Sequence, residues 1–512
     1  MENAPRIFHT LNLLCRVNPV FLALFFTLLS CRATKPAPSN IQRQPVLVTQ
    51  SAFEDIDLTR IGFGSCYEPI FEDFWASRNQ ESIWRGVSRF QPQVFLWLGD
   101  NVYHDLIMQD GYPKEVYMGA NREFIADKSN TSFLILSKDA FPKSYARLRQ
   151  QESLKSFLSE FPDLRIAATW DDHDFCVNDC FGEGPFSYSG RVSDELKVLS
   201  KTYFIDFVKG LNPPSVRNQL ETLHPNWGND KQGIYTTYLF GKGLKKVRII
   251  ILDTRFHQNP EMDQLLGEKQ WLWLENTLMQ NDGAAFTLIL SSIQLLPDIH
   301  GGPLKRWVGQ KFGETWGRSG KANFIEGSTI KKSSIATDFR SERSRLIQLV
   351  MQSKRSGVVF LSGDKHLGTF ASLSPKQQRE RIDPAKNIAL PYPLYEITSS
   401  GLSHTLASSL HKKQHLAGAE WLYDGQMTIQ RHFGAIEFDW QDIHNPSMTI
   451  SLRTENNALA QSKDWDTLYN PHANLVGSLS LSMIKTWLLF APRKPMQITL
   501  HLDDLRSSAS SH

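Results

Sequence analysis

An α/β fold with a substantially buried sheet is what the sequence predicts, on three observations. Short apolar runs of strand length alternate with segments of helical periodicity. Most of these runs are apolar throughout, as strands covered on both faces are. At least five of them end abruptly in Asp, His, Cys or Arg. Open α/β sheets build their sites from polar groups delivered at the C-terminal ends of strands.

Taken in order, Leu58 to Cys66 reads as a short strand followed by a glycine-loosened turn. Residues 71–91 carry Phe71, Phe74, Trp75, Ile83, Trp84 and Val87 at helical spacing and lead through Pro92 into Phe95-Leu96-Trp97-Leu98. That strand discharges into Gly99-Asp100-Asn101-Val102-Tyr103-His104-Asp105. Helical periodicity covers about residues 140–160, and Leu164 to Trp170 is a strand that ends in Asp171-Asp172-His173-Asp174. The strand Val247 to Leu252 ends in Asp253-Thr254-Arg255. A helix over Lys269 to Leu278 precedes the strand Phe286 to Leu290, with Ser291, Ser292 and Gln294 beyond it. An amphipathic helix from Glu342 to Lys354 feeds the strand Val358 to Ser362, which ends in Gly363-Asp364-Lys365-His366. Ala435 to Trp440 and Met448 to Leu452 alternate with period two, as half-buried strands do. The apolar tail from Leu475 to Phe490 is interrupted by serines and Lys485 and reads as packed structure, and Ser507 to His512 reads as frayed.

A chain of 512 residues with 41% hydrophobic and 21% charged residues is of the globular class, and a net charge of +3 gives no general argument for nucleic acid. Arg6 and Arg16 precede Val20 to Leu29, an apolar core too short for a membrane span and suited to a secretory signal. Leu28-Leu29-Ser30-Cys31 resembles a bacterial lipobox with Cys31 as the lipidated residue; a plain cleaved signal is the alternative. The expected organisation is a lipoprotein-type signal over 1–30, a polar tether over 31–57, a main domain over 58–455 and a C-terminal β-rich extension over 456–512. An exported protein of the periplasm or outer membrane follows, anchored to the membrane through Cys31, with no specific protein partner. In an oxidising compartment Cys176 and Cys180 could form a local disulfide, which leaves Cys66 alone. Residues 301–340 form a basic insertion: Lys305, Arg306, Lys311, Arg318, Lys321, Lys331, Lys332 and Arg340 face only Glu314, Glu326 and Asp338. It reads either as a functional loop that draws in anions or as a solvated surface loop.

If Cys66, Asp100, Tyr103, Asp172, Asp364 and His366 converge, they make a set dominated by hard oxygen donors, suited to a highly charged ion or to calcium. A phenol with an ordinary pKa of about 10 coordinates as phenolate only to a strong Lewis acid, so Tyr103 favours ferric iron over zinc. Two cations about 3.5–4 Å apart can hold an attacking hydroxide and neutralise an in-line displacement, with Asp100 as the natural bridge. His173 would donate to the leaving or phosphoryl oxygen, held by Asp174. Arg255 could clamp a phosphate or form a structural ion pair with nearby acids. His104 and Asp105 read as supporting or loop residues.

The ordered series GFGSC, FLWLGDNVYHD, TWDDHDFCVND, ILDTR, LILSSIQLL, VVFLSGDKH and YEITSSGLSHT resembles the alkaline phosphatase D (PhoD-like) branch of the metallophosphatase superfamily, over about residues 58–452. The resemblance implies a four-layer α/β/β/α sandwich with a dinuclear centre at the strand ends, in place of one sheet with helices on both faces. It implies that Cys66, Asp100, Tyr103 and His366 hold ferric iron. Asp100, Asp172 and Asp364, with Asn178 added, would hold a second ion, typically calcium, other divalent ions being possible. His173 matches the histidine that stabilises the transition state. The implied activity is hydrolysis of phosphate monoesters or diesters by metal-bound hydroxide. The alternatives are a surface lipoprotein that keeps the fold without turnover, and a nuclease or phospholipid diesterase with the same centre. The series departs from the family's pattern at Cys176 and Cys180, where small or aromatic residues are usual, and in a family N-terminal β-domain that reads as absent. It departs again where residues 317–337 interrupt the connection after Glu314 and Trp316.

Overall fold

Continuous burial, more than local propensity, explains the strands. Each residue of Val94–Leu98 is buried, because the strand lies between two parallel neighbours and is covered on both faces. In chain order the strands are β1 (Arg60–Gly64), β2 (Val94–Leu98), β3 (Arg165–Thr169), β4 (Thr236–Phe240), β5 (Val247–Ile251), β6 (Phe286–Ser291), β7 (Val358–Ser362) and β8 (Gly368–Leu373). They continue as β9 (Leu394–Ser399), β10 (Met427–Thr428), β11 (Phe433–Asp439), β12 (Ser447–Arg453), β13 (Gln461–Lys463), β14 (Arg493–Pro495) and β15 (Gln497–His501). The computed structural model describes Phe53 and residues 56–105, 131–184, 191–224, 226–296, 316, 340–373, 390, 392–405, 427–463 and 493–506, all within the unit Val48–His512. The signal over 1–30, Cys31 and most of the tether lie outside these residues, as do nearly all of 301–340, the tail at 475–490 and residues 507–512. Among the described residues no helix is long and apolar enough to cross a membrane.

Two sheets result. One has six strands in the order β15-β12-β11-β1-β2-β3, and the other has nine in the order β14-β13-β10-β8-β9-β7-β6-β5-β4. Each contains a parallel block, β1-β2-β3 in the first and β5-β6-β7-β9 in the second. The sheets meet face to face, with Phe286 of β6 5.6 Å from Phe438 of β11 between ring centroids. The Thr169 hydroxyl at the end of β3 donates to the Leu252 carbonyl beyond β5 at 2.8 Å. This is the mixed α/β architecture of a metallophosphatase-type sandwich, and not a single sheet between helical layers.

Helices cover the outer faces. The segment expected as one helix over 71–91 is two, Pro69–Ala76 and Ile83–Phe90, because Ser82 caps the second by accepting from the Trp84 N–H at 3.3 Å. The periodicity at 140–160 belongs to Thr131–Gln150 and Glu152–Glu160. Glu268–Met279 and Arg340–Ser353 pack together on the nine-stranded sheet, where the Trp271 indole donates to Glu342 at 2.5 Å. The extension beyond 456 is built into the sheets: β15 edges the six-stranded sheet against β12, and β13 and β14 edge the other.

The outer core of the six-stranded sheet centres on Trp84, which is 1% exposed. Its ring lies 5.3 Å from both Phe95 and Trp97, 5.4 Å from Tyr67 and 5.5 Å from Phe157, the last in a stack. Replacing it by alanine removes the knob that joins the helix Ile83–Phe90 to β2. Trp84→Ala is expected to lose about 3–5 kcal/mol of stability, read as a lowered midpoint in urea unfolding, with no direct effect on the residues at the strand ends.

Candidate metal centre

The ends of β1, β2, β3 and β7 converge, and the backbone there is folded tightly enough to require particular residues. Gly99 sits at φ +95°, and a Cβ built on it would lie 2.7 Å from the Asp171 Cβ. A Cβ on Gly363 would lie 2.6 Å from the Ser65 hydroxyl and 2.7 Å from the Leu98 carbonyl. These two glycines let the strand ends approach. Four of the expected ligands take the left-handed conformation: Cys66 (φ 60°), Asp100 (φ 49°), Asp364 (φ 69°) and His366 (φ 56°). Such positions cost of order 1–3 kcal/mol each for residues with a Cβ and cluster where function holds them. The Tyr67 N–H donates to the Asp100 carbonyl at 3.0 Å and the Gly363 N–H to the Ser292 carbonyl at 3.0 Å, tying the turns together.

Asp100 stands at the centre. Its Oδ2 is 3.3 Å from the Cys66 Sγ and accepts from the Tyr103 hydroxyl at 3.2 Å. Tyr103 is also 3.1 Å from the His366 Nε2. Three groups of donor atoms are close enough to hold a cation: Cys66, Asp100 and His366; Asp100, Asp172 and His173; and Asp100, Asp171 and Asp364. Asp100 belongs to all three. Its Oδ1 is buried with no hydrogen-bond partner, which is costly for a carboxylate unless something positive meets it. The residues therefore fit a metal.

Electrostatics point the same way. Burial pushes the Cys66 thiol up to about 11. Burial, reinforced by Cys66, raises the Asp100 carboxyl well above its usual range. Burial and the neighbouring Asp100 raise the Tyr103 phenol likewise, and burial raises Asp364. Each shift disfavours the charged form that coordinates metal, and a cation among the donors reverses all of them. For His173 burial works against the charge, but Asp105, Asp172 and Asp100 outweigh it and hold the imidazolium well above the ordinary range. For Asp172 burial is overcome by Arg255 and His173, which bring it down to about 2. The Lys365 ammonium pairs with Asp364.

Several expectations need correcting. His173 is held by Asp105 and not by Asp174: its Nδ1 lies 2.9 Å from the Asp105 Oδ1. Asp174 turns back within the helical turn Asp172–Phe175 and accepts from the backbone N–H groups of Asp171, Asn101 and Val102. Arg255 is not presented as a clamp. It is 1% exposed, its Nε and Nη2 both lie 2.5 Å from the Asp171 Oδ1, and its Nη1 reaches the Cys180 carbonyl at 3.3 Å. It braces the loop that carries Asp172. Asn178 is exposed on its turn, and it is the Asp179 N–H that meets the Asp172 carboxylate, at 2.5 Å. Cys176 and Cys180 are free buried thiols with no disulfide between them, and the Cys180 thiol donates to the Asp172 carbonyl at 3.2 Å.

Three neighbours were given no role from sequence, and Asp105 only a supporting or loop one. Asp171 closes the third donor group, and Asp105 orients His173. The Ser400 hydroxyl accepts from the His366 N–H at 2.6 Å and hydrogen-bonds the Cys66 Sγ at 3.0 Å. His404 packs against His366, tilted by 35°, with ring centroids 3.8 Å apart. Ser400 and His404 lie in the polar run after β9, the same signal that marks the other strand ends.

A model of the family described as PhoD-like phosphatase matches residues 73–444. Among curated proteins none matches the chain. A solved structure described as "Structure of PhoD" is similar at 14% sequence identity with a TM-score of 0.44, covering 82% of this chain and 72% of that one.

Because Asp100 is common to every donor group, Asp100→Asn is expected to bind almost no metal, whereas His366→Ala, which touches one group, is expected to keep part of it. Elemental analysis of the purified proteins, with circular dichroism to show that the fold is retained, checks this ordering.

Proposed function

The chain belongs to the PhoD-like phosphatase family, and on that premise we propose that it is an exported phosphoric ester hydrolase whose centre holds two metal ions. The observation that carries the reading is Asp100, shared by three donor groups and left with one buried oxygen unpaired. The donor chemistry favours ferric iron at Cys66, Asp100, Tyr103 and His366, with calcium or another divalent ion at Asp100, Asp172 and Asp364. Asp171 lies in reach of the second position: its Oδ1 braces, being held by Arg255 and by the Ser292 hydroxyl at 2.8 Å, while its Oδ2 is buried without a hydrogen-bond partner and stays open to that ion. A metal pair, when bound, neutralises the phosphoryl group and supplies a nucleophile at neutral pH.

The protein's own residues do the rest. Asp105 fixes the Nδ1 of His173, leaving Nε2 as the nitrogen for the substrate, and the surrounding carboxylates keep the ring protonated. A protonated imidazole so held donates to a phosphoryl or leaving-group oxygen as charge develops there. Arg255 and the Asp179 N–H keep Asp172 in place. With Cys66 ionised, the Ser400 hydroxyl 3.0 Å away is the donor that tempers the thiolate. Anchoring through Cys31, and a substrate that is a phosphate monoester or diester, complete the proposal.

Hydrolysis of p-nitrophenyl phosphate and of bis(p-nitrophenyl) phosphate by the metal-loaded protein tests it. His173→Ala is expected to lower kcat by about 10²–10³, and Asp105→Asn by less, since it only releases the ring. Equal rates for wild type and Asp100→Asn would overturn the enzyme reading. Iron-loaded wild type is expected to be coloured by tyrosinate-to-iron charge transfer. Tyr103→Phe should remove the visible band, and a colourless wild type that binds only zinc would overturn the iron assignment.

A further inference from the structure

Beside the metal donors lies an imidazole fixed by its backbone and by the rings around it. His404 is fixed through its backbone to the segment that carries Cys66: the Leu402 N–H donates to the Ser65 carbonyl at 3.1 Å and the His404 N–H to the Cys66 carbonyl at 3.0 Å. The adjoining Ser403 is tied twice more. Its carbonyl accepts from the Trp75 indole at 2.7 Å, and its hydroxyl accepts from the Glu68 N–H at 2.8 Å. The ring itself is clamped on two sides. Phe71 stacks on it at 4.3 Å with the planes 18° apart, and His366 lies 3.8 Å away. The edge of Tyr103 is 5.4 Å distant, and Tyr103 in turn packs at 4.2 Å on His173.

A ring pinned in this way has a fixed edge. His404 is half-buried, and its Nδ1 is shut in without a hydrogen-bond partner. Nε2 is therefore the nitrogen that the residue can offer to a ligand. A buried polar atom left unpaired costs about 1–3 kcal/mol and calls for a reason. Simple support of His366 does not supply one, because a phenyl ring would stack on Phe71 and pack against His366 as well without the orphaned nitrogen.

We propose that His404 is a further substrate-contacting residue of the centre, its Nε2–H donating to an oxygen of the bound phosphoryl group beside the one that His173 serves. The proposal rests on the phosphoesterase reading above. It places donors on both flanks of Tyr103, so that the phosphoryl group is held between two imidazoles.

His404→Phe keeps the ring packed between Phe71 and His366 and removes only the donor; His404→Ala removes both. In the metal-loaded protein, His404→Phe is expected to retain wild-type metal content. It should bind inorganic phosphate and orthovanadate about tenfold or more weakly by calorimetry, and kcat/KM for p-nitrophenyl phosphate should fall about 10–100-fold. His404→Phe with wild-type phosphate affinity and turnover would overturn the proposal, as would a His404→Phe protein that has lost metal, since the ring would then only support His366. If wild type itself neither binds phosphate or vanadate nor cleaves any ester, the phosphoesterase reading falls and this proposal with it. Wild-type activity with an indifferent His404→Phe removes His404 alone.

Discussion

The rest of the structure is arranged around a single electrostatic difficulty: several anionic donors gathered out of water within reach of one carboxylate, Asp100. Four carboxylates (Asp100, Asp171, Asp172 and Asp364), a thiol and a phenol cannot all ionise in such a place without positive charge among them. The protein supplies part of that charge itself, from Arg255 on Asp171, Lys365 on Asp364 and protonated His173 between Asp105 and Asp172. It leaves the Asp100 side unmatched, with a bare buried oxygen. Those built-in cations brace the acids around the rim, and the uncompensated remainder at the centre is what selects a metal.

Rigidity follows from the same need. Donors that repel one another stay together only if the backbone gives them no alternative, and the left-handed turns at Cys66, Asp100, Asp364 and His366 provide that restraint. The turns hold because they are tied across sheets, Ser65 N–H to the Ser399 carbonyl and Leu402 N–H to the Ser65 carbonyl, and within the nine-stranded sheet by Gly363 N–H to the Ser292 carbonyl. The face-to-face sandwich is thus what allows the strained turns to persist, since each sheet holds the other's strand ends in register.

Much of this was legible in the sequence, for a physical reason. Strands buried on both faces have to be apolar, so the residues that break the pattern at their ends stand out, and Cys66, Asp100, Asp172, Asp364 and His366 all do. What was not legible depends on how loops fold over one another. Asp174 is the natural neighbour for His173 along the chain, yet the helical turn Asp172–Phe175 swings it toward Asn101, and the loop from β2 brings Asp105 instead. Arg255 could have met phosphate or carboxylate; only the packing of β5 against β3 decides for Asp171. The spacing of Cys176 and Cys180 is equally compatible with a bridge and with two separate thiols. Ser77, Asn79 and Ser82 carried the signal for the break between two helices, but apolar periodicity ran through it.

The pairing of β1 with β11 has a bearing on how the molecule is made. Arg60 stands opposite Glu437, and the neighbouring β2 and β3 follow β1 closely in sequence while β11 and β12 come more than three hundred residues later. During synthesis the first three strands therefore emerge with one edge of β1 open and must wait for β11 to cover it. Contacts of such long sequence separation fold slowly, and an uncovered strand edge invites pairing with other chains in the interval. Cys66, at the end of that waiting strand, reaches its native surroundings only when β11 has docked and the run after β9 has closed over it, so the centre is among the last parts of the fold to be completed.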